Sequence, residues 1–364
     1  MRVLFFCGDE AWSGSARAFA TAGRLLAARE YSVTFACRPQ SAVEQRVGED
    51  GLTVVNVSDQ GTWMDESRRL RRALTEHFVE VVFVHSEREH LIASAALRMA
   101  VRGAVIRRVP LGASATAGRA ERAAARLAAS GFLFADPREL QLAPPPHRPL
   151  DAVVAPLGVS VERHAEVRPV ARGTMGVGPD GQLIVCVTDE ASRSRVATAL
   201  RTLALLAAHH PGLRLAITGT GADHEDLRMH AAALGITGLV SFLGERDDQI
   251  AVLRAADVGW VAADGDDAAF AFLDFMALRV PVVTDRGPLA QAYVPDQIAG
   301  VLLSPRDANA AAAAVAQLLA DAERRQAMGR AGQARVAREF SEDVMGAGFQ
   351  AAADAARDRS RWAR

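Results

Sequence analysis

The chain has 364 residues, half of them hydrophobic, and a formal net charge of −1. That length suits two domains, because a single core rarely grows past about 250–300 residues. The near-neutral charge and 5% aromatic content exclude the usual basic, aromatic nucleic-acid surface, and no run of about 18 uncharged apolar residues reads as a membrane span.

All 42 basic residues are arginine. Any cationic catalyst must therefore be Arg or His, and lysine Schiff-base chemistry is excluded. Residues 1–150 hold 20 Arg against 16 Asp and Glu, and the remainder 22 against 27. This modest split reads as two solvated surfaces. Cys7, Cys37 and Cys186 are widely spaced and form no metal or redox motif, so a reducing, cytoplasmic compartment is expected. The opening "MRVLFFCGDE" is too short and too soon acidic for a signal peptide.

That opening reads instead as a first strand, "RVLFFC". The helix "SARAFATAGRLLAARE" follows, then the strands "SVTFAC", "LTVVNV" and "VEVVFVHS". A basic helix, "DESRRLRRALTEHF", lies before the last of these. Next come the helix "HLIASAALRMAVRG", the strand "AVIRRVP", the helix "RAERAAARLAASG" and the strand "FLFAD". Short strands separated by longer helices imply βαβ units and a parallel sheet. A Pro- and Gly-rich stretch with one short strand, from "PPPHRPL" to "GVGPDG", then separates two halves.

The rhythm resumes at "QLIVCVT". It runs through "RVATALRTLALLAAHHPG", "LRLAITGTG", "LVSFLG", "DDQIAVLRAAD", "VGWVAA", "AFAFLDFMALR", "VPVVTD" and "AGVLLS". A single long Ala-rich helix is expected from "ANAAAAAVAQLL" to "ARVAREF". The expected fold is α/β, with two Rossmann-like doubly wound parallel-sheet domains facing across a cleft. The boundaries read as 1–165, 166–345 and a last helix, 346–364, crossing back to the first domain. In such sheets ligands sit outside the carboxyl ends of the strands.

From "PGLRLAITGTG" through "LGITGLVSFLGERDDQ" and "FLDFMALRVPVVTDRGP" to "GQARVAREFS", the second half resembles GT-B glycosyltransferases. The likeness is to the large retaining, nucleotide-sugar-dependent, family-4 type. "VVAPLGVSVERH" looks like that family's interdomain segment, and "SGSARAFATAGRLLAAREYSVTFAC" like its first loop, helix and second strand. The family carries two glutamates separated by seven residues. Here Asp266 and Asp274 take those positions, each one methylene shorter.

The resemblance implies that Asp266 meets the donor sugar and Asp274 the ribose. A carboxylate can accept two hydroxyls at once, and Asp274 reads as lying near the start of its helix. It also implies that Arg193 or Arg195 neutralises the departing diphosphate, with Asp189 standing near a position where the family has a cation. Gly14 and Ser15 before the first helix, Gly219 and Gly221 in "GTGAD", and Phe242 and Gly244 in "FLGER" are the expected phosphate- and base-side positions. His85, after a strand of the first domain, is expected near the acceptor.

The stretch Asp266-Asp267-Ala268-Ala269 departs from the family's glycine-rich loop, and no histidine occurs near Leu111. The expected activity is retaining transfer from a UDP- or GDP-sugar to a sugar, lipid-linked or small-molecule acceptor. No cofactor and no metal are expected, although "DGD" (Asp264–Asp266) also fits a metal-binding acid motif. Two alternatives stand beside this. One is a non-catalytic GT-B-like binding or scaffolding partner. The other is a peripheral membrane contact through Arg68, Arg69, Arg71 and Arg72.

Overall fold

A computed structural model describes residues 1–57, 62–101, 103–113, 118–142, 152–221 and 225–362. The chain divides into two compact units, Met1–Leu157 with Glu342–Arg364, and Gly158–Ser341. The division therefore falls before residue 165, and the returning segment begins at Glu342 rather than at 346. The Pro-rich stretch 144–150 lies outside the described residues.

The first unit holds β1 (Arg2–Cys7), β2 (Ser32–Cys37), β3 (Thr53–Asn56), β4 (Val81–Val84), β5 (Ala104–Val109), β6 (Ala129–Phe134) and β7 (Ala152–Val154). All are parallel, in the order β3-β2-β1-β4-β5-β6-β7. Phe5 pairs in register with Phe35 and Phe83 on its neighbours. Their rings stack at 5.2 and 4.8 Å. Phe19 of α1 (Gly14–Ala27) covers this ladder, as does Phe349 of the last helix, α15 (Glu342–Trp362). That aromatic contact explains why the end of the chain belongs to the first unit, since fully buried Phe side chains are each worth about 1.5–3 kcal/mol. The helices between are α2 (Ala42–Glu49), α3 (Trp63–Glu76), α4 (Glu87–Ala100), α5 (Arg119–Leu127) and α6 (Pro137–Leu142).

The second unit holds β8 (Gln182–Thr188), β9 (Leu213–Thr218), β10 (Val240–Gly244), β11 (Val258–Ala262), β12 (Val282–Asp285) and β13 (Gly300–Leu303). They are parallel, in the order β10-β9-β8-β11-β12-β13. The helices are α7 (Val161–Glu166), α8 (Arg193–Leu206), α9 (Glu225–Ala233), α10 (Gln249–Arg254), α11 (Gly265–Ala277), α12 (Pro288–Tyr293), α13 (Ala308–Ala320) and α14 (Ala322–Glu339). Helix α11 is apolar nearly all round and buried. Gly259 on β11 leaves room for the Phe275 ring, which an added Cβ would meet at 2.6 Å.

The expected single long helix after residue 308 is two. Asp321 adopts an extended backbone and caps α14, its side chain accepting from Arg324 N–H at 2.8 Å. An Asp competes with the helical backbone in this way wherever its own side chain can reach the next turn.

Candidate functional site

In a doubly wound sheet the ligand crevice lies where the strand order reverses. The second unit reverses between β8 and β11. Asp189 follows β8, and Ala263 and Asp264 follow β11. The Asp264 N–H donates to Asp189 Oδ2 at 2.6 Å. Arg195, in the first turn of α8, lies across both: it donates to the Ala263 carbonyl at 2.7 Å and pairs with Asp264 at 2.6 Å. Asp189 Oδ1 and Ser192 Oγ are buried there without a hydrogen-bond partner. Orphaned polar atoms of this kind cost about 1–3 kcal/mol each unless something else satisfies them.

Of the two candidate cations, only Arg195 reaches the reversal point. Arg193 forms an exposed pair with Asp226 at 3.2 Å, across to α9. A cavity of about 340 Å³ adjoins the crevice, and its lining includes Arg195, Asp264, Phe272, Asp285, Arg286 and Arg306. Burial pushes the Asp285 carboxyl above its ordinary range, against the pull of Arg195 and Arg306.

The acid pair is placed differently from expectation. Helix α11 begins at Gly265, so Asp266 lies in its first turn and Asp274 in its final turns. A carboxylate there is not favoured by the helix dipole, which corrects the reading of Asp274 as a helix-start residue. Asp274 is 1% exposed, and its Oδ1 lies 2.8 Å from His164 Nε2. The other ring nitrogen of His164 faces the Ser160 carbonyl at 2.7 Å. Neither acid lines the cavity. With so little surface, Asp274 presents none to a ribose, so the expected contact is replaced by an internal pair that ties α7 to α11. Asp266 is also buried, at 5% exposure. Asp264, the first acid of the "DGD" stretch, has its carboxylate paired with Arg195 at 2.6 Å.

His164 is the residue the sequence reading missed. It sits in the quoted "VSVERH", but its partner is 110 positions away. No local spacing could have revealed the pair.

The glycine turns lie beside the same crevice. Gly219 (φ 113°), Gly221 (φ 74°) and Gly244 (φ 65°) all have backbone conformations that favour glycine. Gly219 N–H donates to the Gly244 carbonyl at 3.0 Å. A Cβ on Gly219 would stand 2.1 Å from the Thr188 carbonyl oxygen. Gly219→Ala is therefore expected to destabilise the second unit by about 1–3 kcal/mol or more, read as a lower urea midpoint at unchanged slope. The Phe242 ring is covered by the Arg228 guanidinium, 4.9 Å from its centroid. Its backbone, rather than its ring, is what this loop offers.

In the first unit the strand order reverses between β1 and β4. Gly14 and Ser15 are buried in the first turn of α1, which Ser13 caps. His85 follows β4 and is 8% exposed. Its Nε2 lies 3.3 Å from Glu89, 3.4 Å from Asp9 and 3.7 Å from Cys7 Sγ. Burial lowers the affinity of the His85 ring for a proton, but the Glu89 and Asp9 charges outweigh this and raise its pKa. Burial, reinforced by the same two carboxylates, pushes the Cys7 thiol well up.

Residues 174–335 match the model of the family described as glycosyl transferases group 1. The two parallel-sheet units give the chain a GT-B fold, and its second unit is similar, over residues 174–335, to the group 1 glycosyl transferases. Among curated proteins, the chain is similar to the lipopolysaccharide core biosynthesis glycosyltransferase LpsE of Rhizobium meliloti. The two are 29% identical over 144 residues, 40% of this chain and 42% of that protein. It is also similar to a GDP-mannose-dependent monoacylated alpha-(1-6)-phosphatidylinositol monomannoside mannosyltransferase of Corynebacterium glutamicum. There the identity is 28% over 205 residues, covering 52% and 53% of the two chains. The chain spans about half the length of the curated relatives it matches.

Among solved structures, Anabaena HepE in complex with UDP-glucose aligns with a TM-score of 0.79 at 15% identity, over 97% of this chain and 98% of that one. A glycosyltransferase from Rickettsia africae gives 0.81 at 12% identity, over 97% and 98%. Among the described residues, no helix is long and apolar enough to cross a membrane.

Proposed function

We propose that this chain is a glycosyltransferase that moves a sugar from a nucleotide-diphosphate sugar to an acceptor, with retention of configuration. The donor sits at the carboxyl ends of β8, β9 and β11, in the second unit. One observation carries the reading: at that reversal point Arg195 stands beside two buried polar atoms, Asp189 Oδ1 and Ser192 Oγ, that have no protein partner. An arginine offers a planar fork that suits a diphosphate, and the orphaned acceptor and hydroxyl suit donor hydroxyls.

The group 1 match of this same unit supports the reaction class. The UDP-glucose complex of Anabaena HepE supports a nucleotide-sugar donor, and the GDP-mannose-dependent name of the C. glutamicum relative keeps a GDP-sugar in the candidate set. The family-4 resemblance supports retention.

In this reading Arg195 stabilises charge on the leaving diphosphate, and the turns at Gly219, Gly221 and Gly244 offer backbone N–H groups to the nucleotide. The donor chemistry needs no cofactor and no metal, because arginine supplies the positive charge. The acceptor is a sugar, a lipid-linked or a small molecule, taken by the first unit. The exposed Trp63 and Met64 beside Arg68, Arg69, Arg71 and Arg72 on α3 support a peripheral contact with the inner face of the membrane in a cytoplasmic protein.

A second reading is a GT-B-like partner without donor chemistry. It is favoured by the buried Asp274–His164 pair and by Asp189, Asp264, Asp266 and Asp267 gathered where a diphosphate would lie. A panel of UDP- and GDP-sugars, assayed for nucleotide released with and without candidate acceptors, separates the two. The transferase reading expects release from one donor above the others. Equal background from every donor supports the partner reading.

A further inference from the structure

The donor reading leaves unused the side chains at the other point of strand reversal. Cys7 ends β1, Asp9 follows it, and His85 follows the neighbouring β4. Each offers one ligand atom, and these three atoms all lie within 4.8 Å of one another. From His85 Nε2, Cys7 Sγ is 3.7 Å away and Asp9 Oδ1 is 3.4 Å away. A tetrahedral zinc ion with bonds of about 2.0–2.3 Å sets its ligand atoms roughly 3.3–3.6 Å apart. The 3.4 Å edge falls in that range and the 3.7 Å edge lies just outside it, so closing the three groups on a metal takes a small inward shift.

The surroundings hold the three groups in place. Ser13 Oγ donates to Asp9 Oδ2 at 2.5 Å, so the second oxygen, Oδ1, is the one on the His85 side. Phe19 meets the His85 ring edge-on, 5.6 Å between centroids. Glu89 is braced by the backbone N–H groups of Gly8 (2.7 Å), His85 (3.1 Å) and Ser86 (3.0 Å). Its Oε1 lies 3.3 Å from the same His85 Nε2 that faces Cys7 and Asp9, so it adds negative charge on the metal side of the ring. Cys7 and His85 are buried, while the Asp9 side chain is 29% exposed, which leaves an approach from solvent.

We propose that Cys7, Asp9 and His85 bind a zinc ion, with a fourth position open to water. Sulfur, nitrogen and a single oxygen select zinc over magnesium or calcium, which take oxygen ligands. On binding, the Cys7 thiol gives its proton to solvent and the thiolate sulfur donates its electron pair to the metal. The site lies within the first unit and does not rest on the donor reading.

The test is titration of the full-length protein, stripped with a chelator, with Co²⁺ alone, followed by absorption. A thiolate-to-cobalt charge-transfer band with intense tetrahedral d–d bands is expected, saturating at one equivalent and abolished by added Zn²⁺. Cys7→Ser should remove the charge-transfer band, and Asp9→Asn should weaken cobalt binding at least 10-fold. A weak, octahedral-type spectrum in the folded wild type overturns the proposal, as does a band that survives in Cys7→Ser. Should Cys7→Ser fail to fold, the wild-type spectrum and the half-exposed Asp9→Asn variant still decide.

Discussion

Arg195→Ala is expected to lower kcat/KM for sugar transfer by about 10²–10³-fold, measured as nucleotide released from the donor that the panel identifies. Two losses combine. The guanidinium no longer meets charge developing on the diphosphate. The Asp264 carboxylate, which it holds at 2.6 Å, is left without that cation and repels the donor. Arg193→Ala serves as the internal control. Its pair with Asp226 is exposed, and such pairs contribute about 0–1 kcal/mol, so its effect should stay within a few-fold. Equal, small effects from both substitutions would remove Arg195 from the chemistry.

Asp274→Ala is expected to act on stability. It breaks a buried pair whose partner, His164, keeps its Ser160 contact and loses its carboxylate. Leaving a buried polar group without its hydrogen-bond partner costs about 1–3 kcal/mol. For a unit of this size each kcal/mol lowers Tm by roughly 2–4 °C. A double-mutant cycle with His164→Ala should show strong coupling, because the cost lies in the unpaired survivor. Nucleotide affinity of the folded fraction should hardly change, since Asp274 is 1% exposed. A large loss of affinity at unchanged Tm would return Asp274 to the ribose.

The contrast between these residues shows what the sequence could carry. The alternation of short strands and longer helices was legible because each element repeats its apolar period over many residues, so both parallel sheets could be read directly. The polar α2 has no such stripe, and its sign was only Ser41, whose hydroxyl accepts from Glu44 N–H at 3.1 Å. The break at Asp321 escaped because alanine-rich flanks mask a cap. In the site, the glycine turns could be read because positive φ demands glycine. The choice between Arg193 and Arg195 could not, since it depends on which side of α8 faces the strand reversal. The start of α11 was placed too late. That start shifts Asp274 from the first turn to the last, and with it the physics of its carboxylate. The His164–Asp274 and Cys7–His85 pairs join residues 110 and 78 positions apart, and only the fold brings them together.

On the proposed function, the second unit holds a nucleotide sugar where β8 and β11 diverge. Isothermal titration of the full-length protein with UDP- and GDP-sugars tests it most directly. The account predicts saturable one-site binding of one donor class, weakened at least 10-fold in Arg195→Ala, the size of one lost charge-assisted contact. Folded wild-type protein that binds no nucleotide sugar, or binds one with the same affinity in both forms, would contradict it.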